Sequence, residues 1–248
     1  MTEIFDRYAK FYDSLYGEKS YAEECAYVVS LFDDAEIQFL LDFGCGTGRF
    51  TEQFAARGFC VDGVDLSAKM IEIAQERLLS ESSLATLEIS YETADVRAFT
   101  PKKRYDLVYS LFHVINYMTS DDDLREFFSS AGKALRKDGL LIFDFWYGPG
   151  VEADSPAERK KVVEWNGESL IRTAKPRLIP EENSVLVEYQ IEIAQEVFSE
   201  FHKMRYLFDA DIDSFAAPHF VTESIFGWRE NTAPTSDNWN AVAILRRI

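Results

Sequence analysis

A short apolar run, Phe39-Leu40-Leu41-Asp42-Phe43, leads directly into a turn with glycines at alternate positions, Gly44-Cys45-Gly46-Thr47-Gly48. Phe50 and Phe54 follow at helical spacing, and Gly58 is a residue type that ends helices. The segment therefore predicts a strand, a glycine turn and a helix. Glycines let a backbone approach a ligand without obstruction by Cβ atoms, and the next helix presents unpaired N–H groups. A ligand site is therefore expected at the end of this strand.

The same alternation of strand and helix continues along the first 150 residues. Ser67 is placed to cap a helix, and the acids at 121–123 suit the positive end of a second helix over about 121–136. Further strands are predicted at 60–64, 87–91, 105–111 and 139–145. Strands that alternate with helices predict an α/β fold, a mostly parallel sheet with helices on both faces.

The pattern changes after Gly148-Pro149-Gly150. Residues 184–193 alternate between apolar and polar side chains with a period of two, which predicts a half-buried antiparallel strand. Similar runs at 160–179 and 196–208 predict a meander of three or four strands, and 240–245 predicts a last strand. We therefore expect an N-terminal helical lid and α/β core over 1–150, an antiparallel β insertion over 151–208, and completion of the core over 209–248.

The charge balance excludes several partners. The chain of 248 residues has 26 basic and 43 acidic residues, a formal net charge of −17. Nucleic-acid binding requires a cationic surface that displaces phosphate counterions, so a general DNA or RNA binder is not expected. An anionic membrane surface is disfavoured for the same reason, and no apolar run approaches the roughly 20 residues of a membrane span.

The cysteines and the first residues predict a cytoplasmic protein. Cys25, Cys45 and Cys60 are an odd number without paired spacing, which is typical of free thiols in a reducing compartment. Residues 1–6 lack a basic stretch followed by an apolar one, so no signal peptide is expected. No metal site is predicted, and a homodimer is one assembly open to such a chain.

The spacing of the glycines discriminates between nucleotide cofactors. A dinucleotide fingerprint has the pattern G-x-G-x-x-G, whose third glycine would fall at position 49. Arg49 stands there instead, so a nicotinamide cofactor is disfavoured. Asp65, at the end of the second strand, would serve either cofactor because a carboxylate accepts hydrogen bonds from ribose hydroxyls.

At this point the sequence closely resembles the class I S-adenosylmethionine-dependent methyltransferases. Residues 42–48 match the first motif of that family, and the motifs after strands two, three and four correspond to 64–70, 93–96 and 105–108. The resemblance covers about residues 36–147. It implies a Rossmann-like seven-stranded sheet whose last strand is antiparallel, with S-adenosyl-L-methionine as cofactor and S-adenosyl-L-homocysteine as product.

Carried over position by position, the resemblance implies a set of cofactor-binding residues. The glycines would lie along the methionine part, Asp65 would hold the ribose hydroxyls, Met70 would pack on adenine, and Asp95 would accept the adenine amino group. The full set is Asp42, Gly44, Cys45, Gly46, Gly48, Asp65, Leu66, Met70, Asp95, Val96 and Leu111. A soft thioether suits a ring face, and Met70 also fits the apolar stripe of its helix.

Four further segments resemble a subgroup that methylates amino groups of nucleotide-linked deoxysugars. They are Tyr12-Asp13, Lys19-Ser20-Tyr21, 111–118 and 145–150. The relatives have a histidine where this chain has Tyr117, and a phenol with a pKa of about 10 is a poor proton acceptor at neutral pH. The catalytic candidates are His113, Tyr117 and Tyr12, and the substrate-binding candidates are Tyr12, Tyr21, His113, Trp146, Tyr147 and His202.

The favoured function is N-methylation of a small molecule, with a nucleotide-linked amino sugar as one acceptor class. A dianionic acceptor requires basic partners, for which the insertion offers Arg172, Lys175, Arg177, Lys203 and Arg205. O-methylation is a second hypothesis, in which a base such as His113 matters more. A non-catalytic S-adenosylmethionine-binding protein and a nicotinamide dehydrogenase are the third and fourth hypotheses.

Overall fold

The computed structural model describes residue 5, residues 7–32 and residues 36–248. The predicted lack of a signal peptide concerns residues 1–6, most of which lie outside the described residues. Eleven strands follow in chain order: β1 Phe39–Phe43, β2 Cys60–Asp65, β3 Ile89–Thr93, β4 Tyr105–Ser110, β5 Leu135–Trp146, β6 Arg159–Trp165, β7 Glu168–Ile179, β8 Ser184–Ile193, β9 Glu196–Arg205, β10 Phe220–Gly227 and β11 Asn240–Arg247.

Seven helices accompany the strands in the described part of the chain. Ser67 caps the fourth helix by accepting a hydrogen bond from the Met70 amide, and Ser120 and Asp123 form a capping box on the fifth. The Ser67 cap lies where the sequence predicts it, and the acids at 121–123 form the first turn of the fifth helix as expected. The helices are α1 Ala9–Leu15, α2 Tyr21–Ser30, α3 Arg49–Ala55, α4 Ala68–Ser80, α5 Asp121–Ala134, α6 Gly148–Ala153 and α7 Asp209–Ala216. No described helix is long and apolar enough to cross a bilayer.

The larger sheet has seven strands in the order β10-β11-β5-β4-β1-β2-β3. All pairings among the first five strands, β1 to β5, are parallel. β11 is antiparallel to both of its neighbours, β10 and β5. The predicted mostly parallel sheet with an antiparallel last strand is confirmed. The chain leaves β1 towards β2 on one side, and β4 lies on the other side. Open parallel sheets bind ligands at such a switch point.

Alternation of side chains along β1 fills a core on each face of this sheet. Leu41 and Phe43 belong to a cluster that includes Phe127 and Phe128 of α5, whereas Leu40 packs on the opposite face with residues of α2 and α3. Burial of both faces explains why the strands are nearly continuous apolar runs. Helices therefore cover both faces, as predicted.

The smaller sheet is antiparallel, in the order β6-β7-β8-β9, and is the predicted insertion after the fifth strand. Leu170, Ile191 and Ile193 from this sheet pack against Phe11 and Leu15 of α1. The first helix therefore lies between the insertion and the sheet edge at which a ligand is expected.

Several predicted boundaries differ from the structure. The third strand lies at 89–93 rather than 87–91, because residues before it form turns, and the fifth strand begins at Leu135, directly after α5. β10 is not predicted by the sequence analysis. Its pattern is only partly buried, and a bulge between Thr222 and Ser224 interrupts the alternation that identifies a strand.

Candidate active site

A cavity of about 470 Å³ opens at the carboxyl ends of β1, β2 and β4. Its volume falls in the range of about 300–1,000 Å³ that is typical of small-molecule sites. The glycine turn and the start of α4 form one wall. Tyrosines of α1, the segment after β4 and residues of β8 and β9 form the other.

Asp65 holds the glycine turn in place with both oxygens of its carboxylate. The amide of Gly46 donates to Oδ2 at 2.8 Å, and the amide of Ser67 donates to Oδ1 at 2.8 Å. Burial raises the pKa of Asp65 despite these two hydrogen bonds, which act in the opposite direction. The remaining lone pairs of the carboxylate lie at the cavity, where they can accept hydroxyl hydrogen bonds.

Two glycines of the turn meet different surroundings. Gly44 has φ of +81°, and a Cβ there would lie 2.5 Å from Cγ1 of Val114. Gly46 has φ of +54°, and a Cβ would meet no atom within 4 Å. Gly44 is therefore required by packing, whereas Gly46 leaves open space on the cavity side of the turn. This open cradle fits a ligand that lies against the backbone.

On the cavity wall formed by the glycine turn and α4, the thioether of Met70 and the carboxylate of Asp95 also border the cavity. Met70 borders the cavity from the first turn of α4 and is almost fully buried. Asp95 accepts from the backbone amide, Nε and Nη2 of Arg97, and Arg97 also contacts Asp123 at 2.5 Å. Hydrogen bonding to Arg97 lowers the pKa of Asp95, which keeps it ionised as an acceptor at the cavity.

Six tyrosines line the acceptor side of the cavity. Burial raises the pKa of five of them, so these phenols are neutral at physiological pH. The rings of Tyr12 and Tyr16 lie 4.7 Å apart, centroid to centroid, and Phe112 packs edge-on against both. The tyrosines are Tyr8, Tyr12, Tyr16, Tyr21, Tyr117 and Tyr189. Such a wall excludes water and presents ring faces that attract a cation.

His113 is fixed at the cavity by a carboxylate from β5. Its Nδ1 lies 2.8 Å from Oδ2 of Asp144, and its backbone amide donates to Oδ1 at 3.0 Å. Both Phe112 and His113 have positive φ, 69° and 66°, which is uncommon for residues with side chains. Because Nδ1 faces Asp144, Nε2 is the ring nitrogen left for a ligand. The Trp146 ring lies 6.0 Å away.

A second histidine lies directly behind the cavity wall. The Tyr117 hydroxyl, on the 3₁₀ turn Val114–Tyr117, is 2.8 Å from Nδ1 of His202 in β9. His202 is fully buried, and its Nε2 lies 3.6 Å from Oε2 of Glu200. The predicted acceptor contact of His202 is therefore indirect, since Tyr117 stands between the imidazole and the cavity.

Most predicted site residues border this one cavity. They are Tyr12, Tyr21, Gly44, Cys45, Gly46, Asp65, Leu66, Met70, Asp95, Val96, Leu111, His113, Tyr117 and Trp146. Besides His202, three predicted residues lie behind its wall. Asp42 accepts hydrogen bonds from Thr51 and Tyr109 below the turn, and Gly48 caps α3 against the Tyr91 ring. Tyr147 packs in the main core, because side chains along β5 and its continuation alternate between faces.

Several residues with chemical roles are not predicted from the sequence. Asp13 and Arg77 join α1 to the glycine turn, Asp144 anchors His113, and Glu200 faces His202. Asp144 is the one with a local signal, a charged residue inside the apolar run 140–145. The others act through contacts between distant parts of the chain.

Comparison with known proteins agrees with the class that the motifs resemble. Residues 40–139 match the family model described as a methyltransferase domain. The resemblance drawn from the motifs is thereby confirmed over these residues.

Two curated relatives illustrate how far the similarity extends. A putative methyltransferase of Geobacillus sp. is 31% identical over 144 residues, 56% of this chain and 56% of the relative. The chain thus spans little more than half the length of that relative. The dTDP-3-amino-3,4,6-trideoxy-alpha-D-glucopyranose N,N-dimethyltransferase of Streptomyces venezuelae is 26% identical over 230 residues, 89% of this chain and 92% of the relative.

A solved structure shares the whole fold. An S-adenosylmethionine-dependent methyltransferase from Clostridium acetobutylicum superposes with a TM-score of 0.80 and 18% identity, over 98% of both chains. This similarity includes the antiparallel insertion, since nearly the entire chain is covered. The predicted Rossmann-like fold is thereby confirmed.

Proposed function

We propose that this protein transfers a methyl group from S-adenosylmethionine to the nitrogen of a small molecule, with a nucleotide-linked amino sugar as the favoured acceptor class. One observation carries the proposal. A single cavity joins the glycine turn, with its Asp65 carboxylate, to a wall of neutral tyrosines, His113 and Trp146. A cofactor and an acceptor would therefore meet in one water-poor space.

The first wall fits the cofactor. The open cradle at Gly46 would receive the methionine part, Asp65 would accept ribose hydroxyl hydrogen bonds, Met70 would pack on the adenine face, and Asp95 would accept its amino group. When bound, S-adenosylmethionine supplies an electrophilic methyl group on a positively charged sulfonium. The neutral rings of Tyr12 and Tyr117 support such a cation without forming an ion pair that would hold it too tightly.

The second wall fits an amine acceptor. Tyr12, Tyr21, His113 and Trp146 present hydrogen-bonding groups and ring faces to the same space. Asp144 holds the His113 ring in one orientation, so Nε2 can accept a hydrogen bond from an acceptor amine. We assign to these residues the alignment of the acceptor nitrogen.

Basic residues at the cavity support an acceptor with a phosphate group. Lys203, Arg49 and Arg97 border the cavity and keep side-chain exposures of 41%, 37% and 33%. Each also contacts a carboxylate, so a phosphate would bind by sharing these cations. The names of two relatives, from Saccharopolyspora spinosa and Streptomyces venezuelae, specify dTDP-linked amino sugars as acceptors.

The free thiols support action in a reducing compartment such as the cytoplasm. Cys25, Cys45 and Cys60 are all unpaired. The net charge of −17 disfavours nucleic acid as the acceptor, because phosphate backbones bind cationic surfaces. The acceptor that we propose is accordingly a metabolite and not a polymer. Light scattering of the purified protein tests whether it forms a homodimer.

Two measurements test the proposed function. Calorimetry should show binding of S-adenosylmethionine and S-adenosylhomocysteine and none of NAD. The protein, with methyl-labelled S-adenosylmethionine, should then label dTDP-linked amino sugars on nitrogen. Label on a hydroxyl oxygen would establish O-methylation instead. Cofactor binding without label transfer to these sugars or to a metabolite extract would favour a non-catalytic binding protein.

A further inference from the structure

Tyr117 is the one tyrosine of the cavity wall whose hydroxyl contacts a histidine among the described residues. Tyr117 lies on the 3₁₀ turn after β4, whereas His202 lies on β9 of the insertion, 85 positions away in the chain. The oxygen–nitrogen distance of 2.8 Å is that of a hydrogen bond. The contact therefore joins the acceptor side of the cavity to a buried imidazole.

His202 is held by groups from every element around it. The rings of Phe5, Tyr8 and Tyr189 pack against the imidazole, with centroids 4.9, 6.3 and 4.9 Å away. Its Nε2 lies 3.6 Å from Glu200, whose two oxygens accept hydrogen bonds from the backbone amides of Phe5 and Tyr8. Glu200 is the only carboxylate among the described residues that pairs with this imidazole.

The charge state of Glu200 suits a partner for an imidazolium. Burial acts to raise the pKa of Glu200. The nearby His202 imidazole and the hydrogen bonds from the amides of Tyr8 and Phe5 outweigh burial, and the pKa is lowered. A carboxylate that stays ionised near Nε2 favours a proton on that nitrogen. Nδ1 is then left as the acceptor for the Tyr117 hydroxyl.

We propose that Tyr117, His202 and Glu200 form a proton relay that removes the proton from the acceptor nitrogen. The proposal rests on the proposed N-methylation. Tyr117 is the catalytic residue of the relay, since it borders the cavity, and His202 and Glu200 are positioning residues that act through it. The arrangement follows the logic of a nucleophile, a base and an orienting carboxylate, with a phenol in the first place.

A phenol alone is a poor base at this position. Burial raises the pKa of Tyr117, and the nearby Tyr189, Tyr16, Asp65 and Glu200 raise it further. A stably deprotonated Tyr117 is therefore disfavoured. A phenol that passes on its own proton as it receives another never carries the full negative charge, and the 2.8 Å contact to Nδ1 provides the path.

The proton transfers balance. The proton of the acceptor ammonium moves to the phenolic oxygen, while the phenolic proton moves to Nδ1 of His202. The electron pair released on the nitrogen forms the new bond to the methyl carbon, as the bond from that carbon to the sulfonium breaks. His202 ends as an imidazolium facing Glu200, and Tyr117 ends as a neutral phenol.

Kinetics of two variants test the relay. His202→Asn keeps a hydrogen-bonding group near Tyr117 but accepts no proton, and Tyr117→Phe removes the hydroxyl. With the dTDP-linked 3-amino sugar as acceptor, both should lower kcat about 10²–10⁴-fold with a smaller change in KM. The acidic limb of the kcat–pH profile should shift in His202→Asn. An unshifted limb, or a loss of less than about threefold in kcat for both variants, would overturn the proposal.

Matched controls lie outside the cavity. His219 is in the loop after α7, and Tyr206 is a buried tyrosine whose hydroxyl contacts Glu152. His219→Asn and Tyr206→Phe should leave kcat and its pH profile at the wild-type values. Equal losses in the controls would attribute the effect to general disruption and overturn the relay.

A spectroscopic measurement tests the relay in the resting protein, without methyl transfer. In protein with ¹⁵N-labelled histidine, NMR should show His202 protonated on Nε2 and not on Nδ1. Tyr117→Phe should shift the Nδ1 resonance of His202, whereas Tyr206→Phe should not. A proton on Nδ1, or insensitivity to Tyr117→Phe, would overturn the proposal even if the amino sugar is methylated. If the sugar is not methylated but the NMR pattern is as predicted, the proposed acceptor is wrong and the hydrogen-bond order of Tyr117, His202 and Glu200 stands.

Discussion

Asp13 of α1 accepts a hydrogen bond from the Thr47 hydroxyl of the glycine turn at 2.6 Å. Its second oxygen lies 2.5 Å from Nη1 of Arg77, which also contacts Glu52 at 2.6 Å and donates to the Thr47 carbonyl. Arg77 and Glu52 have side-chain exposures of only 11% and 8%. A partly buried ionic network thus ties the first helix to the turn that we assign to the cofactor.

Loss of this tie should loosen the first helix. Asp13→Asn keeps the shape but removes the charge that faces Arg77, and charge-assisted hydrogen bonds contribute about 1.5–3 kcal/mol. We expect faster amide hydrogen exchange in Ala9–Leu15 and weaker binding of S-adenosylmethionine by about tenfold or more. Asp122→Asn, at an exposed ion pair with Arg125, is the control and should change neither. Unchanged exchange in Asp13→Asn would show that packing alone holds α1.

Gly46 and Gly58 permit a matched comparison of two substitutions. Both have positive φ, and a Cβ at either meets no atom within 4 Å, but only Gly46 borders the cavity. Alanine at either position should cost roughly 1–2 kcal/mol of stability from the left-handed backbone. Gly46→Ala should in addition weaken S-adenosylmethionine binding by at least about tenfold in calorimetry, whereas Gly58→Ala should not. Equal affinities would place the cofactor away from the turn.

His113 and Asp144 separate alignment of the acceptor from proton removal. Loss of one hydrogen bond from His113 should cost about 1 kcal/mol. His113→Asn should therefore raise the acceptor KM several-fold and leave the acidic limb of the kcat–pH profile in place. Asp144→Asn should have a similar effect, since the amide no longer fixes the ring. Loss of the acidic limb in His113→Asn would instead identify His113 as the base, as expected for a hydroxyl acceptor.

The sequence predicts the cofactor side of the site better than the acceptor side. Gly44, Gly46, Asp65 and Met70 lie within single strand–turn–helix units, and all four border the cavity, where the local pattern predicts a ligand site. The partner of Tyr117 comes from 85 positions away, and no local pattern encodes a contact between the core and an insertion. Side-chain direction is a second cause of difference. Asp42 adjoins the turn, yet strand alternation points its carboxylate at Thr51 and Tyr109 instead of the cavity.

That placement gives Asp42 an effect on stability that depends on pH. Burial raises its pKa to about 7, although hydrogen bonds from Thr51 and Tyr109 act to lower it. The folded protein therefore binds the proton of Asp42 more tightly than the unfolded chain does, whose aspartates titrate near about pH 4. The stabilisation is fully present below about pH 4 and is lost as the pH rises through about 7.

An uncharged analogue of the protonated side chain tests this linkage. Asp42→Asn cannot ionise, so wild-type stability should fall relative to Asp42→Asn between about pH 5 and about pH 8, by a few kcal/mol at most. Urea unfolding at both pH values measures the difference.

Asp62→Asn is the matched control on β2. There burial, which raises the pKa of Asp62, is outweighed by hydrogen bonds from Ser90, Tyr105 and Lys103 that lower it. Asp62 is ionised throughout this range, so its substitution should cost the same at both pH values. An equal cost for Asp42→Asn at the two values would mean that Asp42 is already ionised at about pH 5, with its charge stabilised by the two hydroxyls.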